Sequence, residues 1–157
     1  YSALFMAEFG SGIKIDTIEK VPARIEDARD NFEKYDVKKC IHLIEGDAAG
    51  VLEGLVQHNK SYDLIFLDAA KAQYMKYLFF LEKLMNKEAV LITDNVRQEG
   101  ELLESRYAVN RRDRTIHSRM REFLKEITDN TKWNTIVLPV GDGVAVSTKN
   151  HIPERLD

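Results

Sequence analysis

The stretch "SYDLIFLDAAKAQY", residues 61–74, decides the fold. Leu64 to Asp68 begin as a buried strand and end on a carboxylate, and three residues later comes Lys71. A near-continuous apolar run is what a parallel strand covered on both faces requires. The helical pattern from about Ala72 to Met85 and the next apolar run, "AVLITDN" at 89–95, complete a βαβ unit.

The same alternation extends in both directions. Upstream lie a helical pattern to about Phe9, with Leu4, Phe5 and Phe9 on one side, and a strand "IKIDTIE" at 13–19. A helix opened by Pro22 runs to about Tyr35, the missing proline N–H costing nothing in a first turn. A strand "CIHLIEG" and a helix from about Ala48 to His58 follow. Downstream, a polar Arg-rich stretch leads to a helix from about Thr115 to Thr128. Two last strands, "WNTIVLPV" and "GVAVSTK", flank Gly141-Asp142-Gly143 and are expected to form an antiparallel hairpin. The fold class is α/β, a mostly parallel sheet with one antiparallel edge, in a single domain over residues 1–157.

Composition narrows the function classes. At 44% hydrophobic and 31% charged residues, 157 residues suffice for one substantial core. A net charge of −3 does not mark the whole chain as a nucleic-acid binder. The one cysteine, Cys40, excludes an internal disulfide and fits a reducing compartment, so the cytoplasm is the expected location. The four histidines lack zinc-ligand spacing, and no apolar run approaches the ~20 residues needed to span a bilayer.

Ligands of open α/β sheets bind beyond the carboxyl ends of the strands. Four successive strands here end on acids: Glu19, Asp47, Asp68 and the pair Asp94-Asn95. Any one alone reads as a helix cap or a solvated loop acid. As a set they suggest two tasks. Glu19, after an early strand, suits a ribose diol. Asp68, Asp94 and Asn95 offer only oxygen donors, which suit a hard cation such as Mg²⁺. Lys71 is either a surface lysine paired with Asp68 or a general base, since a neighbouring cation disfavours the ammonium form.

On "YSA" at 1–3, "IDTIE" at 15–19, "EGDA" at 45–48, "DAAKAQY" at 68–74, "ITDNV" at 92–96 and "LPVGDGVA" at 138–145, the chain resembles the S-adenosylmethionine-dependent O-methyltransferases of the catechol and caffeoyl-CoA type. The branch it resembles most is the bacterial tRNA 5-hydroxyuridine methyltransferases. The resemblance implies a Rossmann-like sheet of strand order 3-2-1-4-5-7-6. It implies that Ser2, Glu19, Asp47, Ala48 and Asp68 bind S-adenosylmethionine, Ser2 near the methionine carboxylate, Glu19 on the ribose and Asp47 with Ala48 beside the adenine. It implies that Asp68, Asp94 and Asn95 hold Mg²⁺, and that Lys71, with Asp68, carries the catalysis as base. In that family "YSA" follows the first, central strand, a glycine-rich loop and N-terminal helices; this sequence starts at Tyr1, so those parts are expected to be missing from it. Arg97-Gln98 also stand where the family has apolar residues.

Residues 105–121 hold six arginines, Arg106, Arg111, Arg112, Arg114, Arg119 and Arg121, against Asp113, a local charge of 6 − 1 = +5. Such a cluster is either a solvated face or a set of phosphate contacts. Its position after Asp94-Asn95 favours RNA, with Arg111, Arg112 and Arg114 as substrate contacts. The expected substrate is 5-hydroxyuridine in tRNA, the alternative is a small catechol-like molecule, and the expected assembly is a homodimer away from membranes. A dehydrogenase is disfavoured by the absence of GxGxxG, and a phospho-receiver domain by the absence of two adjacent acids after the first strand. A non-catalytic RNA-binding module would use the arginines and ignore the acids.

Overall fold

The computed structural model describes residues 1–9, 12–35, 39–96, 114–129 and 131–150. They fall into two compact units, Tyr1–Leu55 and Val56–Asp157.

The first unit contains α1 (Ser2–Ala7), β1 (Ile15–Glu19), α2 (Pro22–Lys34), β2 (Ile41–Glu45) and most of α3 (Ala48–Gln57). β1 and β2 pair in parallel, from Ile15 opposite Ile41 to Glu19 opposite Glu45. Ala3, Phe32 and Ile41 form the core, with Leu4, Ala7, Ala28 and Leu43 packed against it. The expected apolar side of α1 is corrected here. Leu4 packs inward, but Phe5 is 50% exposed and Phe9 72% exposed. Phe5 and Phe9 meet edge-on at 4.8 Å between ring centroids, so part of their apolar surface is shared between them.

The second unit contains β3 (Tyr62–Leu67), a 3₁₀ turn (Lys71–Gln73), α4 (Tyr74–Leu84), β4 (Met85–Thr93), α5 (Arg114–Asp129), β5 (Trp133–Leu138) and β6 (Val144–Lys149). The four strands lie in the order β3-β4-β6-β5. β3 and β4 are parallel, while β6 is antiparallel to both β4 and β5. The β5–β6 hairpin closes through Gly141 and Gly143, with φ of 52° and 83°, a conformation glycine adopts without steric cost. Within each sheet the neighbours are those of the order 3-2-1-4-5-7-6: β1 and β2 match strands 2 and 3, and β3-β4-β6-β5 match 4-5-7-6.

Helical periodicity explains how this sheet is covered. His117, Met120, Phe123 and Ile127 recur on one stripe of α5 and are all buried. Tyr74, Tyr77, Leu78, Leu81 and Leu84 form the stripe of α4. The alternate residues Ala89, Leu91 and Thr93 of β4 are buried. Trp133, Phe123 and Met120 are therefore core residues, as their apolar character implies. Coverage of β3 differs from expectation. Its run reads as buried on both faces, yet Leu64 is 49% exposed and Phe66 36% exposed, because β3 is an edge strand of its sheet. No described helix is long and apolar enough to cross a membrane.

Candidate active site

The second unit sets Asp68 and Asp94 at neighbouring strand tips. The β3–β4 ladder pairs Leu67 with Thr93, and the Asp94 N–H donates to the Leu67 carbonyl at 3.1 Å, carrying the parallel pairing one residue further. Both carboxylates leave their strands at that point. Asn95 then turns the chain. Its φ of 55° lies in the left-handed region, which asparagine tolerates better than most residues. The Asn95 N–H donates to Asp94 Oδ1 at 2.7 Å, and the Val96 N–H donates to the Gly143 carbonyl at 3.0 Å. Val96 is fully buried, so the turn is anchored on its far side by the β5–β6 hairpin and the core.

Lys71 opens the 3₁₀ turn and is half-buried. Tyr74 starts α4 without any exposed surface. Its hydroxyl accepts a hydrogen bond from the Ala69 N–H at 3.3 Å. Burial, reinforced by the negative charges of Asp68 and Asp94, pushes the Tyr74 phenol up to about 12. Both carboxylates thus act on one buried hydroxyl. Asp68, Asp94 and Asn95 provide two carboxylates and one amide, all hard oxygen donors, and this chemistry fits Mg²⁺. No group of three or more His, Cys, Asp or Glu side chains suited to a metal occurs among the described residues.

The first unit places Glu19 and Asp47 at the ends of β1 and the β2–α3 connection. Glu19 Oε1 accepts hydrogen bonds from the backbone N–H groups of Lys20 and Val21, each at 2.8 Å. Its other oxygen lies 3.8 Å from Arg24. The Val21 amide is the largest influence holding the Glu19 carboxyl below its ordinary value; partial burial opposes it, and Lys20 and Arg24 assist. Asp47 Oδ2 accepts the Ala49 N–H at 3.2 Å, as a cap of α3 does, and Oδ1 faces Lys20 Nζ at 3.4 Å. The Gly46 N–H donates to the Glu19 carbonyl at 2.9 Å, tying the two tips together. Ala48 opens α3, and Ser2 opens α1 in an exposed position.

The arginine cluster divides. Arg111 and Arg112 lie outside the described residues, as do Arg97 and Gln98. Arg114 begins α5, with its side chain likewise outside them. Arg119 is engaged within the fold: its Nη1 donates to the Ala72 carbonyl at 2.9 Å. Tyr74 and Arg119 are the residues in contact with the turn after Asp68 that sequence reasoning did not single out. Tyr74 was legible only as the last residue of "DAAKAQY", and Arg119 was hidden among its neighbours.

Comparison with known proteins places these features in context. The profile of the O-methyltransferase family matches residues 1–150. A caffeoyl-CoA O-methyltransferase from Citrus natsudaidai is 31% identical over 122 residues, covering 75% of this chain and 53% of that protein. A catechol O-methyltransferase from Mycobacterium tuberculosis is 30% identical over 105 residues, covering 66% of this chain and 46% of that protein. The chain thus spans about half the length of the curated relatives it matches. The crystal structure of an O-methyltransferase from Bacillus cereus, in complex with SAH, superposes with a TM-score of 0.82 at 25% identity, covering 96% of this chain and 69% of that one. The α/β arrangement is the Rossmann-like methyltransferase fold.

Proposed function

The chain belongs to the O-methyltransferase family, and from that premise we propose that the protein moves the methyl group of S-adenosylmethionine to a hydroxyl of a substrate with two vicinal oxygens, using Mg²⁺ held by Asp68, Asp94 and Asn95. The observation that carries the reading is the juxtaposition of Asp68 and Asp94 across the extended β3–β4 ladder, with Asn95 in a left-handed turn beside them. A divalent cation held by Asp68, Asp94 and Asn95 would supply Lewis-acid stabilisation to an ionising hydroxyl. Lys71, three residues beyond Asp68, accepts the hydroxyl proton at Nζ. In the transfer the carbon–oxygen bond forms as the carbon–sulfur bond breaks, its electron pair staying on sulfur, and S-adenosylhomocysteine leaves as a neutral thioether. Holding the acceptor oxygen in attack geometry contributes up to ~7–11 kcal/mol in well-oriented cases. Glu19, Asp47, Ala48 and Ser2 form the cofactor side of this proposal, and the SAH bound by the Bacillus cereus protein supports it.

For the acceptor we favour 5-hydroxyuridine in tRNA, whose 5-hydroxyl and 4-carbonyl are vicinal, with Arg111, Arg112 and Arg114 on the phosphates. A small catechol-like acceptor is the second reading, supported by the catechol and caffeoyl-CoA relatives. The test is transfer of labelled methyl from S-adenosylmethionine to tRNA bearing 5-hydroxyuridine and, separately, to catechol. Addition of a chelator, or Asp94→Ala, is expected to abolish transfer. Unchanged turnover in either condition refutes the metal assignment, and transfer to catechol alone refutes the tRNA reading.

A further inference from the structure

The segment between Asp68 and Lys71 has little means of holding its own shape. It contains Ala69 and Ala70, both exposed, and neither carries a side chain able to anchor the backbone. Two hydrogen bonds with residues further along the chain hold it instead, and a third holds the 3₁₀ turn that follows. The Ala69 N–H donates to Tyr74 Oη at 3.3 Å. The Gln73 N–H donates to the Ala70 carbonyl at 2.8 Å and closes the 3₁₀ turn. Arg119 Nη1 donates to the Ala72 carbonyl at 2.9 Å.

The Tyr74 ring is itself held by α5. It meets Phe123 edge-on, with centroids 5.3 Å apart and planes at 72°, and neither ring is exposed. Arg119 and Phe123 are four residues apart and share one side of α5. One helix therefore grips the residues just after the segment twice, through the Tyr74 ring and through the Ala72 carbonyl. Phenylalanine would fill the same volume as Tyr74. What the hydroxyl adds is the bond to Ala69, and burying a hydroxyl is costly without such a partner.

We propose that Tyr74, supported by Arg119, is a positioning residue that sets where Asp68 and Lys71 stand relative to each other. The proposal rests on the reading of Asp68 as a metal ligand and Lys71 as the base. Tyr74 is fully buried and Arg119 reaches the turn through the Ala72 carbonyl, so the proposed task of both is exerted through Asp68 and Lys71.

The test measures equilibrium binding of Mn²⁺, a paramagnetic substitute for Mg²⁺, together with steady-state methyl transfer, for the wild type, Tyr74→Phe, Arg119→Ala and Arg119→Lys. Loss of a group that orients a metal ligand typically weakens metal affinity ~10–100-fold. Tyr74→Phe and Arg119→Ala are each expected to weaken Mn²⁺ binding within that range. They should also lower kcat roughly tenfold or more while KM for S-adenosylmethionine stays within about twofold, because a small misplacement of reacting groups acts on the chemical step. Arg119→Lys, which keeps a donor, should recover part of both losses. A merely structural role would lower Tm and leave Mn²⁺ affinity and kcat unchanged. If Mn²⁺ binds both Tyr74→Phe and Arg119→Ala as it binds the wild type, with equal kcat, the positioning role is overturned and the metal assignment stands. If the wild type binds no Mn²⁺, the metal assignment fails and takes the positioning role with it. Should Tyr74→Phe not fold, Arg119→Ala decides alone.

Discussion

Glu19→Gln separates the role of this residue in holding the two backbone amides ahead of α2 from its proposed role on the cofactor ribose. Glu19 Oε1 receives two backbone N–H groups at 2.8 Å, those of Lys20 and Val21, where the chain enters α2. Glutamine keeps an acceptor oxygen, so both bonds can survive in neutral form and only their charge-assisted part is lost. Hydrogen bonds to charged groups contribute ~1.5–3 kcal/mol against ~1 for neutral ones. The Arg24 pair at 3.8 Å adds little, because its arginine side chain is 72% exposed and water screens it. Since the Glu19 side chain itself retains 26% exposure, the expected loss at pH 7 is ~1 kcal/mol. The sign of the pH dependence follows from the lowered carboxyl. Stabilisation by the carboxylate is fully present above the unfolded carboxyl value of 4.5 and is lost as pH falls through the lower folded value. Urea unfolding of both proteins at pH 7 and near pH 3 measures the difference. The gap should be present at pH 7 and close in acid; a gap of equal size at both pH values would refute the carboxylate account. Titration with S-adenosylmethionine gives the second readout. A roughly tenfold weaker affinity is expected if the remaining oxygen serves the ribose, since loss of a charged acceptor is worth at least ~1.4 kcal/mol. Equal affinity would leave Glu19 only an acceptor for the two amides that precede α2.

Lys71→Met should lower turnover ~10²–10⁴-fold with little change in cofactor affinity, and a loss under about threefold would return Lys71 to an ordinary surface lysine. Leu91→Ala, at a position with no exposure, should cost ~2–5 kcal/mol in chemical denaturation, whereas Leu64→Ala, half-exposed on edge strand β3, should cost under ~1.5 kcal/mol; equal costs would show that β3 is covered. Thr93 Oγ1 is buried without a hydrogen-bond partner among the described residues, so Thr93→Val should raise stability by ~1 kcal/mol, and a loss of stability would reveal a partner for that hydroxyl. Replacing Arg111, Arg112 and Arg114 together by Ala should weaken tRNA binding irrespective of sequence and flatten its salt dependence; an unchanged salt slope would make the cluster a solvated face.

Apolar runs of strand length, separated by helical patterns, were enough to determine the α/β class and the approximate places of the strands, although β4 starts at Met85, four residues before the apolar run at 89–95, and ends at Thr93. Pro22 and the Gly141-Asp142-Gly143 turn marked a helix start and an antiparallel reversal, because those residues act through their own backbone. Asp68, Asp94 and Asn95 were legible as candidates because strand ends are local features. Only tertiary structure decided which side chains those features meet. It exposed Leu64, Phe66, Phe5 and Phe9, because apolar character states what can be buried but not which neighbours arrive to bury it. It drew Arg119 out of a charged cluster and onto the Ala72 carbonyl, 47 residues away in sequence. Contacts of that separation depend on how α5 packs against the turn after β3, and neither periodicity nor spacing along one segment encodes that packing.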